Sequence, residues 1–255
     1  MTVTIDRNDC VETVLLDRPE RLNSLDSEDL AFLASYFRSL DMRREIRAVI
    51  IAGRGASFCS GLDLNAWEEI LERGSFAEMT ALQENASGIV RAMQAAPQPI
   101  IGLGKGHACG AGFALLLACD IRLGTLDLKM NIASVRIGLS GADMGMSYLL
   151  PRIGGSALAA ELMLTGDFLS AERARAAGVL SIVCETATEL DAAGRALAHR
   201  IAATPEPAVR LTKSALVSDS PSLSTAVALE DRQQLLLAAS DEHKNAVRAF
   251  LARAR

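Results

Sequence analysis

The chain has 255 residues, half of them apolar and 22% charged, with a formal net charge of −5. That length holds one large core with an appendage, and that balance excludes an intrinsically disordered chain. A net negative charge supplies no general field for nucleic acid or an anionic membrane, so neither is an expected partner.

The opening residues Met1-Thr2-Val3-Thr4-Ile5-Asp6-Arg7 lack the apolar stretch of a secretory signal, which favours a cytoplasmic location. Residues 11–17 read as a short strand ended by Arg18-Pro19. Asp26 and Ser27 then offer N-caps to a helix whose Leu30, Leu33, Ala34 and Phe37 recur at helical spacing. Residues 46–52 are a buried-strand candidate closed by Gly53-Arg54-Gly55. A second helix is predicted over 76–93; Pro97 and Pro99 stop it, and 100–103 resumes as strand. Residues 108–119 are apolar but too short to cross a bilayer, which takes about 20 residues.

Two glycine-rich turns stand out. Phe58-Cys59-Ser60-Gly61-Leu62-Asp63-Leu64 is one, and 102–112 is the other, leading into a buried helix at 113–120. Glycines between strand and helix let backbone N–H groups approach a ligand closely, and two such turns can aim two donors at one oxygen. The same turns also serve a purely structural reading, in which they pack strand against helix. After a mixed stretch to Ile137, a turn at 138–145 precedes a helix at 146–150, with alanine-rich helices at 157–164 and 171–177. Thr204-Pro205-Glu206-Pro207 breaks the composition, and beyond it 208–217 and 223–255 read as helices, with Val247, Phe250 and Leu251 on a buried face. The predicted organisation is an α/β core over residues 1–200 and a helical C-terminal region over 201–255.

The five cysteines (10, 59, 109, 119, 184) show no C-x-x-C spacing and read as reduced structural thiols, with Cys109 weighed as a nucleophile. Gly104-Lys105 has no Ser or Thr after it, and no G-x-G-x-x-G opens a helix, so no nucleotide loop is expected. Three scattered histidines offer no metal cluster, and no metal is expected.

In order along the chain, Arg18-Pro19-Glu20-Arg21-Leu22-Asn23-Ser24-Leu25, the Phe58–Leu64 turn, the run from Gln98-Pro99-Ile100-Ile101 to Ala118-Cys119-Asp120, and Glu161-Leu162-Met163-Leu164-Thr165-Gly166 resemble the crotonase, or enoyl-CoA hydratase/isomerase, superfamily. The resemblance implies a spiral of ββα units with a C-terminal helical trimerisation region, assembled as a homotrimer or a dimer of trimers. It implies an acyl-CoA thioester as substrate and no further cofactor. It assigns the two oxyanion-hole N–H groups to Leu62 and Ala111, and CoA or substrate contacts to Arg18, Arg21, Ser60, Gly61, Asp63 and Gly110.

The acids depart from the family pattern. The two hydratase glutamates fall at Ala114 and Ser134, neither of which can serve as a carboxylate. Asp143 precedes Pro151-Arg152 by the interval of an aspartate in dienoyl-CoA isomerases. It is the candidate acid/base, with helix capping as its structural alternative. These readings favour double-bond isomerisation. They leave open hydration with other acids, an aryl-CoA dehalogenase-like reaction (whose histidine and tryptophan fall at Arg91 and Val135), and a non-catalytic acyl-CoA-binding subunit.

Overall fold

A computed structural model of the chain describes residues 2–218 and 222–253. Strands β1 (Val3–Asn8) and β2 (Val11–Leu16) form an antiparallel hairpin. The sequence pattern passes over β1 because it is an edge strand on which only Val3 is fully buried. Helix α1 (Ser27–Ser39) begins where predicted: the Asp26 side chain accepts from the N–H groups of Glu28 and Asp29, and Asp29 reciprocates in a capping box. Its Leu30, Leu33, Ala34 and Phe37 face the core.

Strand β3 (Ala48–Gly53) is buried along its whole length. Helices α2 (Leu64–Arg73) and α3 (Phe76–Ala95) follow, then β4 (Ile100–Gly104), β5 (His107–Cys109) and α4 (Ala111–Ala118). The chain continues through β6 (Ile121–Thr125) and β7 (Lys129–Asn131), then α5 (Met146–Gly154) and α6 (Ser156–Thr165). After these come β8 (Leu169–Ser170), α7 (Ala171–Ala176), β9 (Ile182–Cys184) and α8 (Ala187–Ala202).

The larger sheet runs β1-β2-β3-β4-β6-β9, parallel from β2 onward, and the smaller one runs β5-β7-β8. The central parallel strands are covered on both faces, which is why β3 and β4 read as unbroken apolar runs rather than alternations. One face carries the larger core, with Phe37, Phe58 and Phe113 fully enclosed, and α8 covers the other. Gly194 lets α8 lie close to the sheet, since a Cβ there would sit 2.6 Å from Leu103 Cδ2.

Three helices complete the described chain: α9 (Glu206–Val217), α10 (Leu223–Ala238) and α11 (Asp241–Arg253). The composition break at Thr204-Pro205 falls between α8 and α9. The single helix expected over 223–255 is two helices, because Ala239 and Ser240 end the first and the Ser240 hydroxyl accepts from His243 N–H to start the second. Val247, expected on a buried face, is 41% exposed in the isolated chain; the side chains of Phe250 and Leu251, and positions 254–255, lie outside the described residues.

Candidate active site

The two glycine turns meet. An isolated parallel bridge joins Cys59 to Ala108: the Cys59 N–H donates to the His107 carbonyl at 2.9 Å, and the Cys109 N–H donates to the Cys59 carbonyl at 2.9 Å. Gly61 (φ +99°) lies so close that a Cβ on it would stand 2.7 Å from the Cys109 oxygen and 3.4 Å from the Ala111 nitrogen. Gly112 abuts the Cys59 carbonyl, which an added Cβ would approach to 2.2 Å. Only glycine permits either approach.

The direction of the Leu62 N–H follows from a second bridge. Leu25 donates to the Gly61 carbonyl and accepts from the Asp63 N–H, both at 2.8 Å, so Leu62 turns its own peptide groups away from Leu25. Ala111 is the first residue of α4, where a helical N–H has no partner within its helix. Among the described residues, neither the Leu62 nor the Ala111 N–H donates to a protein acceptor. The two groups therefore sit on abutting turns as free donors, one of them at the positive end of a helix.

The loop 18–25 is held against the first turn by Asn23. Its side chain is buried, accepts from Arg18 N–H at 2.9 Å, and donates to the carbonyls of Arg54, Ser57 and Phe58 at 2.9, 2.8 and 3.2 Å. Leu22 and Asn23 both have positive φ, and asparagine tolerates that conformation better than most residues. Asn23 belongs to the recognised motif, but its role as a hub emerges only in three dimensions. Arg18 Nη1 lies 3.0 Å from Asp63 Oδ2 and 3.6 Å from Asp26 Oδ2, so its guanidinium is engaged within the protein. Arg21 is exposed. The Ser60 N–H donates to the Leu22 carbonyl at 2.9 Å, and Asp63, buried, caps α2 by accepting from Asn65 N–H. Gly110 (φ +50°) anchors the second turn through its N–H, which donates to the Asn131 carbonyl at 2.9 Å.

Asp143 lies half-buried in the turn before α5, which packs against α4. Its Oδ1 accepts from Gln83 Nε2 of α3 at 2.6 Å and from the Met144 N–H at 2.7 Å. Met144 has φ +44°, a strained value for a bulky side chain. The N-cap of α5 is Gly145, with no side-chain capping bond, so the structure does not bear out the capping alternative for Asp143.

Ala114 is fully enclosed in α4, and the Ser134 hydroxyl donates to the Ser140 carbonyl at 2.9 Å. Neither position offers a proton-transfer group. Glu68, Glu69, Glu72 and Glu84 are all exposed. Burial pushes the Cys109 thiol up to about 11, which leaves it protonated at neutral pH and disqualifies it as a thiolate nucleophile. His107 makes an edge-on ring contact with Phe168. Among the described residues there is no group of three or more His, Cys, Asp or Glu placed to hold a metal ion. No described helix is long and apolar enough to cross a membrane.

The family model described as enoyl-CoA hydratase/isomerase matches residues 6–255. The 1,2-epoxyphenylacetyl-CoA isomerase of Escherichia coli K12 is 35% identical over 245 residues, covering 95% of this chain and 92% of its own. The (E)-benzylidenesuccinyl-CoA hydratase of Thauera aromatica is 33% identical over 218 residues, covering 85% and 82%. The crystal structure of an enoyl-CoA hydratase from Bacillus anthracis superposes with a TM-score of 0.93 at 25% identity, covering 99% of this chain and 97% of that one.

Proposed function

We propose that this chain, an enzyme that belongs to the enoyl-CoA hydratase/isomerase family, binds an acyl-CoA thioester and moves a proton between carbons of its acyl group. The observation that carries this reading is the abutment of the two turns, in which the free N–H groups of Leu62 and Ala111 directly follow Gly61 and Gly110. A thioester oxygen placed between them gains both donors as it becomes an enolate; one such donor contributes about 2.7–4 kcal/mol to the transition state.

Asp143 is the acid/base. As a carboxylate it takes a proton from an acyl carbon while the electron pair moves into the enolate; the acid proton exchanges with solvent, and the carboxylic acid then delivers a proton to a different carbon as the enolate collapses. The double bond shifts, nothing is oxidised, and no cofactor beyond the CoA of the substrate is required. Relatives include both an isomerase and a hydratase. Isomerisation is favoured here because Ala114 and Ser134 leave hydration without its usual carboxylates, whereas one acid suffices for a proton shuttle. Exposed Arg21 is the cation free to meet CoA phosphates, while Arg18 braces Asp63.

Two coarser features complete the proposal. Each passage β4–β5–α4 gives one strand to the large sheet and the next to the small one, and β6–β7 repeats this, which supports the spiral of ββα units. Leu216, Leu223, Leu235 and Leu236 are 69–80% exposed on the C-terminal helices, which supports assembly as a trimer or dimer of trimers through them. The expected solution mass is a multiple of three 27.1 kDa chains, and a monomer by light scattering would refute it.

The enzymatic test is incubation with trans-2-octenoyl-CoA in heavy water, followed by mass. Deuterium entering the acyl chain without added water is the expected result, and gain of one heavy water would establish hydration instead. Asp143→Asn is expected to abolish the exchange while thioester binding persists. Unchanged exchange in that variant would remove Asp143 from the mechanism.

A further inference from the structure

Asp143 alone does not define a working base; its carboxyl must present one oxygen in a fixed direction. Both hydrogen bonds to it fall on Oδ1, from Gln83 Nε2 and from Met144 N–H. Oδ2 accepts no hydrogen bond among the described residues. Gln83 stands on the exposed face of α3, sixty positions away in sequence, and its amide is oriented by its own helix: Nε2 also reaches Ser87 Oγ, one turn on, at 3.4 Å. With both Nε2 hydrogens so placed, the donor end of the amide faces the carboxylate, which as an anion accepts only from donors. The strained Met144 backbone supplies the second donor.

We propose that Gln83 is a positioning residue that, with the Met144 N–H, occupies Asp143 Oδ1 and so makes Oδ2 the oxygen that carries the proton. The inference rests on the reading of Asp143 as acid/base. Gln83 touches no reacting atom in it; the side chain acts by holding the carboxyl at one rotation. A second consequence concerns identity at this position: a donor of similar length is required, not an amide as such.

The test compares Gln83→Glu, which keeps the shape but removes the donor, with Gln83→Lys, which keeps a donor on a long stem. Both are read alongside Asp143→Asn for deuterium exchange into trans-2-octenoyl-CoA, with kcat and KM separated and thermal unfolding followed in parallel. Gln83→Glu is expected to lower kcat by up to about a hundredfold, the usual scale for a misplaced reacting group, with KM and unfolding temperature unchanged. Gln83→Lys is expected to retain most of the wild-type kcat. If Asp143→Asn is inactive and Gln83→Glu keeps the full kcat, Gln83 has no such role and the Asp143 reading stands. If Gln83→Lys falls as far as Gln83→Glu, donor chemistry is not the cause and the proposal is overturned. If Asp143→Asn exchanges as the wild type does, or the wild type shows no exchange, the catalytic reading falls and this inference with it.

Discussion

Gly61 shows how much of the site rests on single atoms. Its φ of +99° disfavours any side chain, and a Cβ would meet the Cys109 carbonyl at 2.7 Å, so an alanine there must drive the two turns apart. Gly61→Ala is expected to cost more than about 1 kcal/mol of stability. On the proposed function, in which the Leu62 and Ala111 N–H groups share one oxygen, it is also expected to cost on the order of a hundredfold or more in turnover. Gly110 is the internal comparison: its φ is also positive, but nothing lies within 4 Å of an added Cβ. Gly110→Ala is therefore expected to show strain without collision, and a smaller loss of thioester turnover in the same assay. The sequence marks both glycines as turn residues. It cannot rank them, because the Cys109 oxygen that distinguishes them comes from a distant part of the chain.

Among the elements, α9 is joined to the core by one buried cation. Lys213 Nζ donates to the carbonyls of Met93 and Gln98 at 3.1 and 2.9 Å and lies 2.8 Å from Asp120 Oδ2. That carboxylate also accepts the Ile100 N–H, so a single lysine ties α9 to the end of α3, the approach to β4 and the residue before β6. Lys213→Met removes one partner of a largely buried pair and is expected to destabilise the chain by about 3 kcal/mol in urea unfolding. Faster amide exchange confined to α9 would place the loss there, and unchanged exchange would refute this anchoring. Lys213 gives no such signal in the sequence, where it reads as one more helical lysine. The helix itself was legible, since Pro205 precedes it and the apolar spacing is local. Its attachment was not, because the partners lie 93 or more positions away.

At the scale of the whole molecule, buried thiols set a limit on alkaline stability. Burial raises the thiol of Cys109 to about 11 and that of Cys59 to about 12 from an ordinary value of 9.0, and Cys119 is pushed up for the same reason. These groups keep their protons in the folded chain where the unfolded chain loses them. Their contribution is thus fully present below about pH 9 and falls as the pH rises, through about 11 for Cys109 and about 12 for Cys59. The urea midpoint is expected to fall between pH 8 and 10.5, and Cys109→Ala is expected to reduce that fall; an unaltered slope in the variant would refute the assignment. One departure from the family pattern lies in the core, since Ala114 is fully enclosed there, while the other, Ser134, is only partly buried.

What the sequence determined by itself was the family, the order of most strands and helices, the Asp26 cap and the two glycine turns. Each of these is written in neighbouring residues, whose periodicity, capping chemistry and turn preference act over a few positions. The exposed edge strand β1 escaped because one buried side chain makes no period. Only the tertiary structure decided that Gly61 faces Ala111, that Arg18 pairs with Asp63, that Gln83 holds Asp143 and that Lys213 reaches Asp120. Such pairings are fixed by how the parallel sheet and its covering helices close around a common core, and no local spacing encodes the distance between two residues that meet only there.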